Sequence, residues 1–171
     1  APYDPYELGL STVLKPPSVV HFFGTDEVGR DIFSRVLHGA RLSLRVGVLV
    51  VLAAGIIGIP AGIISGYYGG IIDDIVMRVA DMFLAFPSLM LAIAISMALG
   101  ASLEAAMVGV GIVWWPDYAR LVRGLVLSLR GRTFVEAART IGASDGRIML
   151  RHIVPNTVSP LLVKATVDVG Y

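Results

Sequence analysis

Val46–Ile64 is a run of 19 residues without a single charge. As a helix it would extend about 28 Å, close to the ~30 Å hydrocarbon core of a bilayer. A soluble fold would have to bury such a segment on every side. The composition favours lipid instead: 56% of the 171 residues are hydrophobic, 16% are charged, and mean hydropathy is +0.77. Soluble domains carry roughly 25% charged residues. The chain is therefore expected to be an all-α, polytopic membrane helix bundle. Within and just beyond the run, Ala54, Gly58, Gly62 and Gly66 recur at four-residue spacing. That stripe of small residues is a helix-packing face, where a second helix can approach closely. Pro60 is tolerable in a span whose neighbours re-satisfy the freed carbonyl.

Two further spans are predicted, over residues 82–99 and 103–127, so that 46–129 forms the transmembrane part. The last helix continues to about Leu129, partly outside the hydrocarbon. Its sequence Trp114-Trp115-Pro116-Asp117-Tyr118-Ala119-Arg120 has the aromatic character of a membrane interface. Asp117 either pairs with Arg120 at i,i+3 or faces an aqueous cavity. Before the first span, proline-rich residues 1–28 are expected to form an extracytoplasmic loop. Residues 29–45 are predicted as an interfacial helix with an Asp31–Arg35 pair at i,i+4. Ser65–Asp81 is expected as a short loop. Residues 154–171 start another span, interrupted by Lys164 and Asp168, whose charges must face protein or water. Eight arginines (78, 120, 123, 130, 132, 139, 147 and 151) fall on one side and five basic residues (Lys15, Arg30, Arg35, Arg41, Arg45) on the other. That excess assigns the 130–153 loop to the cytoplasm.

Several chemistries are absent. There is no cysteine, so no disulfide or thiolate site exists in these residues. Net charge of +1 gives no electrostatic case for nucleic-acid binding. The two lysines, Lys15 and Lys164, do not follow glycine, so no Gly-Lys-Ser/Thr phosphate loop is present. His-Glu-x-x-His and Gly-x-Ser-x-Gly are missing, and His21, His38 and His152 lack metal spacing. Asp73-Asp74 reads as a helix N-terminus. An enzyme is not expected, nor a metal site.

What remains is the polar, arginine-rich stretch Thr133–Asn156. Thr133 and Glu136 have capping-box spacing, so a helix is predicted after Thr133, with Phe134, Ala138 and Ile141 on one face. Gly142 is placed to end it at positive φ. Ser144 or Asp145 is expected to cap a second helix, with Ile148 and Met149 as apolar contacts and Pro155 as its limit. Phe134, Val135, Ile141, Ile148 and Met149 need cover, which suggests a docked partner.

This stretch, Glu136-Ala137-Ala138, three residues, Gly142, then Ile153-Val154-Pro155, resembles the EAA loop of ABC importer permeases. His152 stands where the usual pattern has Ile, and Val154 where it has Leu. That variant is similar to the peptide permease branch. Phe23-Gly24-Thr25-Asp26-Glu27-Val28-Gly29-Arg30-Asp31, Gly39-Ala40-Arg41-Leu42-Ser43-Leu44, Ala85-Phe86-Pro87-Ser88 and the Trp115–Arg120 segment also resemble that branch. The chain is thus identified as similar to the C-type permease subunit of a dipeptide, oligopeptide or nickel importer.

The resemblance implies a type I importer permease of six spans, the first missing from these residues and the fifth cut at Tyr171. It implies a multi-pass protein of a prokaryotic cytoplasmic (inner) membrane. Implied partners are a homologous second permease, two cytoplasmic ATPase subunits and an extracytoplasmic solute-binding protein, besides the lipid bilayer. No cofactor would be bound by this chain; ATP and Mg would sit on the ATPase. Glu136, Ala137, Ala138, Gly142, Ala143, Ser144, Asp145 and Arg147 would form the ATPase-coupling site, with a coupling helix after Gly142. Dipeptides, longer peptides, glutathione and nickel complexes all fit the branch as solutes. Alternatives are a membrane scaffold that docks a partner through the same loop, or an ion-driven secondary transporter with Asp117, Lys164 or Asp168 in its path.

Overall fold

The computed structural model describes residues 1–170, the side chain of Leu10 excepted; Tyr171, the last residue of the predicted 154–171 segment, lies outside them. Seven α-helices occur among these residues: α1 (Ile32–Tyr68), α2 (Gly70–Leu84), α3 (Ser88–Ala98), α4 (Leu103–Arg130), α5 (Thr133–Thr140), α6 (Asp145–Ile148) and α7 (Val154–Val169). No strand is present among them, only an isolated bridge between Thr25 and Asp31. The chain divides into two compact units, Ala1–Val46 and the remainder from Gly47.

The first unit is a loop knotted by two aspartates. Asp26 Oδ1 accepts from the amides of Val28 and Arg30, each at 3.0 Å, and Oδ2 takes Arg30 Nε at 2.8 Å and Arg35 Nη1 at 2.5 Å. Asp31 accepts from the Ser34 amide at 2.8 Å and from His21 Nδ1 at 3.0 Å. The predicted Asp31–Arg35 pair is therefore not made. Asp31 serves the orphan amide at the start of α1, and Arg35 turns back to Asp26 instead. Gly29 has φ +77°, and a Cβ there would lie 1.9 Å from the Gly9 carbonyl oxygen, so only glycine fits this crossing of the loop.

In the second unit, α1 and α4 run parallel in close contact. A Cβ at Gly58 would fall 2.5 Å from Trp115 O, one at Gly62 2.4 Å from Ala119 O, and one at Gly66 2.8 Å from Val126 Cβ. From the other side, a Cβ at Gly111 would meet that of Ala53 at 2.5 Å. Ala54 is fully buried in this face. Backbone therefore touches backbone over three turns, an arrangement available only to small residues. Pro116, mid-helix, is buried on the same side of α4. Ser102 Oγ accepts the Ala105 amide at 3.1 Å and starts α4.

Three expectations change. The helix predicted to divide at residue 45 into an interfacial part and a span runs on from Ile32 to Tyr68. Nothing in the sequence there breaks a helix, and a change of polarity is not a break. The predicted loop Ser65–Asp81 is mostly helical: α1 ends at Tyr68, Gly69 turns at φ +68°, and α2 follows. The predicted span 82–99 is divided at Ala85–Pro87, with α2 and α3 bent by 91°. Proline restricts the residue before it to extended conformations and lacks the N–H that would continue the ladder. The 11-residue α3 covers about 17 Å, too little to cross alone. Among the described residues α1 alone has the length and apolarity of a span, and α2 with α3 qualify only taken together. The 28-residue α4 is long enough, but Glu104, Asp117, Arg120 and Arg123 punctuate it.

The aromatic segment of α4 is also not an interfacial belt. Trp115 and Tyr118 are buried, and Trp115 meets Phe83 edge-on with ring centroids 5.6 Å apart. Asp81 and Asp73 in α2 bind Arg120 and Arg123 of α4, the latter pair bidentate at 2.5 Å. Of the two alternatives for Asp117, the pair with Arg120 is not made, and the carboxylate lines a cavity.

Gly62→Ala should lower thermal stability by about 1–3 kcal/mol through overpacking, whereas Gly39→Ala, with open space around its Cβ, should be neutral or stabilising. Thermal unfolding of the detergent-solubilised protein measures both, and equal effects at the two sites would contradict the packing. Asp26 is pushed up by desolvation but pulled down more by the amides of Arg30 and Val28 and the Arg30 guanidinium, from an ordinary 3.8 to about 2. Its contribution is complete above pH ~4 and is lost as pH falls toward 2. Pepsin cleavage at the exposed Phe22 and Phe23 should accelerate across that window, relative to an unfolded reference. In Asp26→Asn it should already be fast at pH 4.

Candidate functional site

The stretch from Thr133 to Asn156 folds back onto the ends of α1 and α4. Val135, Ala138, Ile148 and Ile153 are buried with Tyr67, Val122 and Val126 in one cluster, flanked by Ile63, Leu129, Ala143 and Met149. The inward face of α5 is therefore Val135–Ala138, not the predicted Phe134–Ala138–Ile141. Phe134 is 39% exposed and Ile141, at the C-cap, 85%. The periodicity of an eight-residue helix does not determine which stripe turns inward, and here the bundle takes the smaller side chains.

The caps differ from the sequence pattern as well. Thr133 is the first helical residue of α5 and Arg132 the cap residue, with no side-chain cap bond, so the Thr133–Glu136 capping box is not formed. The chain leaves α4 through a single turn at Gly131–Arg132, and the Arg132 carbonyl accepts the Val135 amide at 2.9 Å. This places the helix start one residue early for a capping box. Gly142 has φ +79° and ends α5: its amide bonds to Arg139 O at 2.9 Å, and Ala143 N bonds to Ala138 O at 3.0 Å. Ser144 is the cap residue of α6, acting through its carbonyl to Ile148 N at 3.0 Å rather than through its hydroxyl. Asp145 has another partner: it accepts the Tyr67 hydroxyl at 2.6 Å. Arg139 lies over the same Tyr67 ring, 5.3 Å from its centroid. Pro155 does not end the second helix. A π turn over Met149–Ile153 leads directly into α7, whose first turn holds the proline.

The exposed surface of this segment is then specific. Glu136, Ala137, Gly142, Ser144, Asp145 and Arg147 face outward with Ile141 and Leu150, the latter 73% exposed. Ala143 is half-buried and Ala138 belongs to the core. A Cβ at Gly142 or Gly146 would meet nothing within 4 Å. Tyr67 lies in the predicted loop Ser65–Asp81, and nothing in its sequence surroundings signals a contact 78 residues away. Arg130, which donates to Gly66 O at 3.2 Å, adds a second tie between the ends of α1 and α4.

Such a unit is a knob packed on two helix ends. The family described as the inner membrane component of binding-protein-dependent transport systems matches residues 58–171, and the chain belongs to it. Among curated relatives, the dipeptide transport system permease protein DppC of Alkalihalophilus pseudofirmus is 49% identical over 164 residues, covering 96% of this chain and 54% of that protein. The glutathione transport system permease protein GsiD of Escherichia coli is 46% identical over 171 residues, 99% of this chain and 56% of that protein. The chain spans about half the length of the curated relatives it matches. Its all-helical architecture is that of a membrane helix bundle of this family.

Tyr67→Phe removes a hydrogen bond to a charged group, worth at least about 1.5 kcal/mol. Amide hydrogen exchange in residues 143–148 should rise roughly tenfold, while exchange in the middle of α4 stays unchanged. Unaltered exchange at 143–148 would mean that Tyr67 does not hold the segment.

Proposed function

We propose that this chain is the permease part of an ATP-driven importer that moves small peptides, or a related solute, across a prokaryotic inner membrane in several passes. The observation that carries the reading is the knob: an inner face buried on the ends of α1 and α4, and an outer face of Ile141, Leu150 and the Gly142–Arg147 turn left open. An ATPase subunit docks there from the cytoplasm, with ATP and Mg held on the ATPase and no cofactor on this chain. The parallel course of α1 and α4 supports a single side for the Tyr67 and Thr133 ends. A homologous permease, a second ATPase subunit and an extracytoplasmic solute-binding protein complete the assembly. Closure of the ATPases pushes the knob, and the buried cluster passes that displacement to α1, α4 and α7 together, so that nucleotide biases a two-state switch. The relatives' names, which specify dipeptide and glutathione transport, support peptides as the solute class.

Gly142→Asp, studied in the complete transporter reconstituted in proteoliposomes, adds a charge and a side chain to the open face at a positive-φ position. Membrane insertion should be normal, ATPase co-purification lost, and ATP-driven uptake reduced at least about tenfold, the equivalent of ~1.4 kcal/mol in docking. Normal uptake by this variant would overturn the coupling assignment.

A further inference from the structure

We propose that a cavity between α3, α4 and α7 holds the α-ammonium group of the transported peptide on Asp117; this rests on the importer reading above. The cavity has a volume of about 430 Å³ and is lined by Ser88, Trp114, Asp117, Tyr118, Lys164, Val167 and Asp168. That size suits a small organic solute.

Its depth matters first. Gly58 packs against Trp115–Ala119, so Asp117 lies level with residue 58. The apolar run ends at Ile64, about 9 Å further along the axis. Asp117 therefore sits at the depth of hydrocarbon, where an ionisable group must face protein or a water-filled path.

The charges are not equivalent. Lys164 Nζ binds both oxygens of Asp168, at 3.0 and 2.9 Å, and Asp168 also accepts the Tyr118 hydroxyl at 2.7 Å. The ammonium of Lys164 stands 5.2 Å from the centroid of the Tyr118 ring. This trio is neutral in sum and internally satisfied. Arg120, one turn beyond Asp117, is taken by Asp81. Asp117 is left with no ion-pair or hydrogen-bond partner among the described residues, and its carboxylate gives the cavity a net negative charge. Trp114 forms part of the wall, and an indole face attracts an organic cation. An exposed carboxylate without a partner, beside an aromatic wall, fits a primary ammonium on a small apolar body. The neutral Lys164–Asp168 pair offers no second free anion for a divalent metal.

The test uses Ser88→Cys as a reporter on the cavity wall, since these residues contain no cysteine of their own. In the complete transporter in proteoliposomes, labelling of this cysteine by a water-soluble methanethiosulfonate is followed by mass spectrometry of the chain. Alanyl-alanine should slow labelling and N-acetyl-alanyl-alanine should not. Adding Asp117→Asn should raise the alanyl-alanine concentration for half-protection by roughly tenfold or more. Protection that survives acetylation or Asp117→Asn overturns the proposal, as does no protection by alanyl-alanine. A cysteine that never labels in the assembled transporter also overturns it, because Asp117 is then sealed against another subunit. Uptake of alanyl-alanine is measured in the same vesicles. Uptake without protection refutes the site and leaves the importer reading standing. Protection without uptake refutes peptide import and leaves the site standing.

Discussion

The contact on which the rest of the structure depends is the glycine-lined approach of α1 to α4. Hydrocarbon offers no hydrophobic drive for two apolar helices to associate, so close packing and backbone proximity must supply it. Gly58, Gly62 and Gly66 let the backbone of α1 rest against Trp115–Val126. The register that results has consequences at both ends. At one end it brings Tyr67 and Gly66 beside Val126 and Arg130, which creates the surface on which Val135, Ala138 and Ile148 are buried. Midway it buries Tyr118 where its hydroxyl reaches Asp168 of α7. Move α1 one turn along α4 and the seat for the knob is lost.

Polar groups then stitch the bundle where the sequence alone gave little warning. Arg123 to Asp73, Arg120 to Asp81 and Lys164 to Asp168 each set a cation from a helix face against a carboxylate. Ser65 also donates to Asp73, which makes that aspartate a junction of α1, α2 and α4. Arginine suits the bidentate geometry at Asp73 because its fork matches both carboxylate oxygens. Together these pairs explain how α2, α4 and α7 carry charge while packed in an apolar bundle. The two arginine pairs join α2 to α4, so they also fix the relative register of those helices.

What was legible in the sequence was whatever depends on local chemistry or short spacing. The apolar run, the small-residue stripe, the positive φ at Gly142 and the extent of α4 all follow from residue type and period. Choices among competing partners were not legible. Asp31 could take Arg35 locally, yet it takes an amide and His21 because Asp26 offers Arg35 a better site. Asp117 could take Arg120, yet Asp81 reaches it first across the helix interface. The side of α5 that turns inward depends on α1 and α4, not on α5. The capping box at Thr133 fails for a related reason: the tight turn after α4 sets where α5 begins. The division at Ala85–Pro87 was visible as a proline motif, but its 91° angle was not, since α2 and α3 each pack on α4, a contact far off in sequence.

The knob's connections also decide what kind of device it can be. A loop joined to two spans only at its ends would absorb a push by changing its own dihedrals. This segment instead shares one buried cluster with α1 and α4, and its π turn passes into α7 without a loop. Displacing α6 while leaving the helix ends behind would expose Ile148 and Ile153 and break the Tyr67–Asp145 bond. Several kcal/mol of apolar burial oppose that separation, since each large side chain contributes roughly 1.5–3 kcal/mol. Moving all three helix ends as one body keeps those contacts. The breaks in the helical chain before this segment lie at Gly69, where α1 meets α2, and at Ala85–Pro87, where α2 meets α3. Under the proposed coupling, force applied at Gly142–Leu150 is therefore carried by the ends of α1, α4 and α7 together. The cavity between α3, α4 and α7 is lined by two of those three helices, so a push on the knob reaches its wall directly.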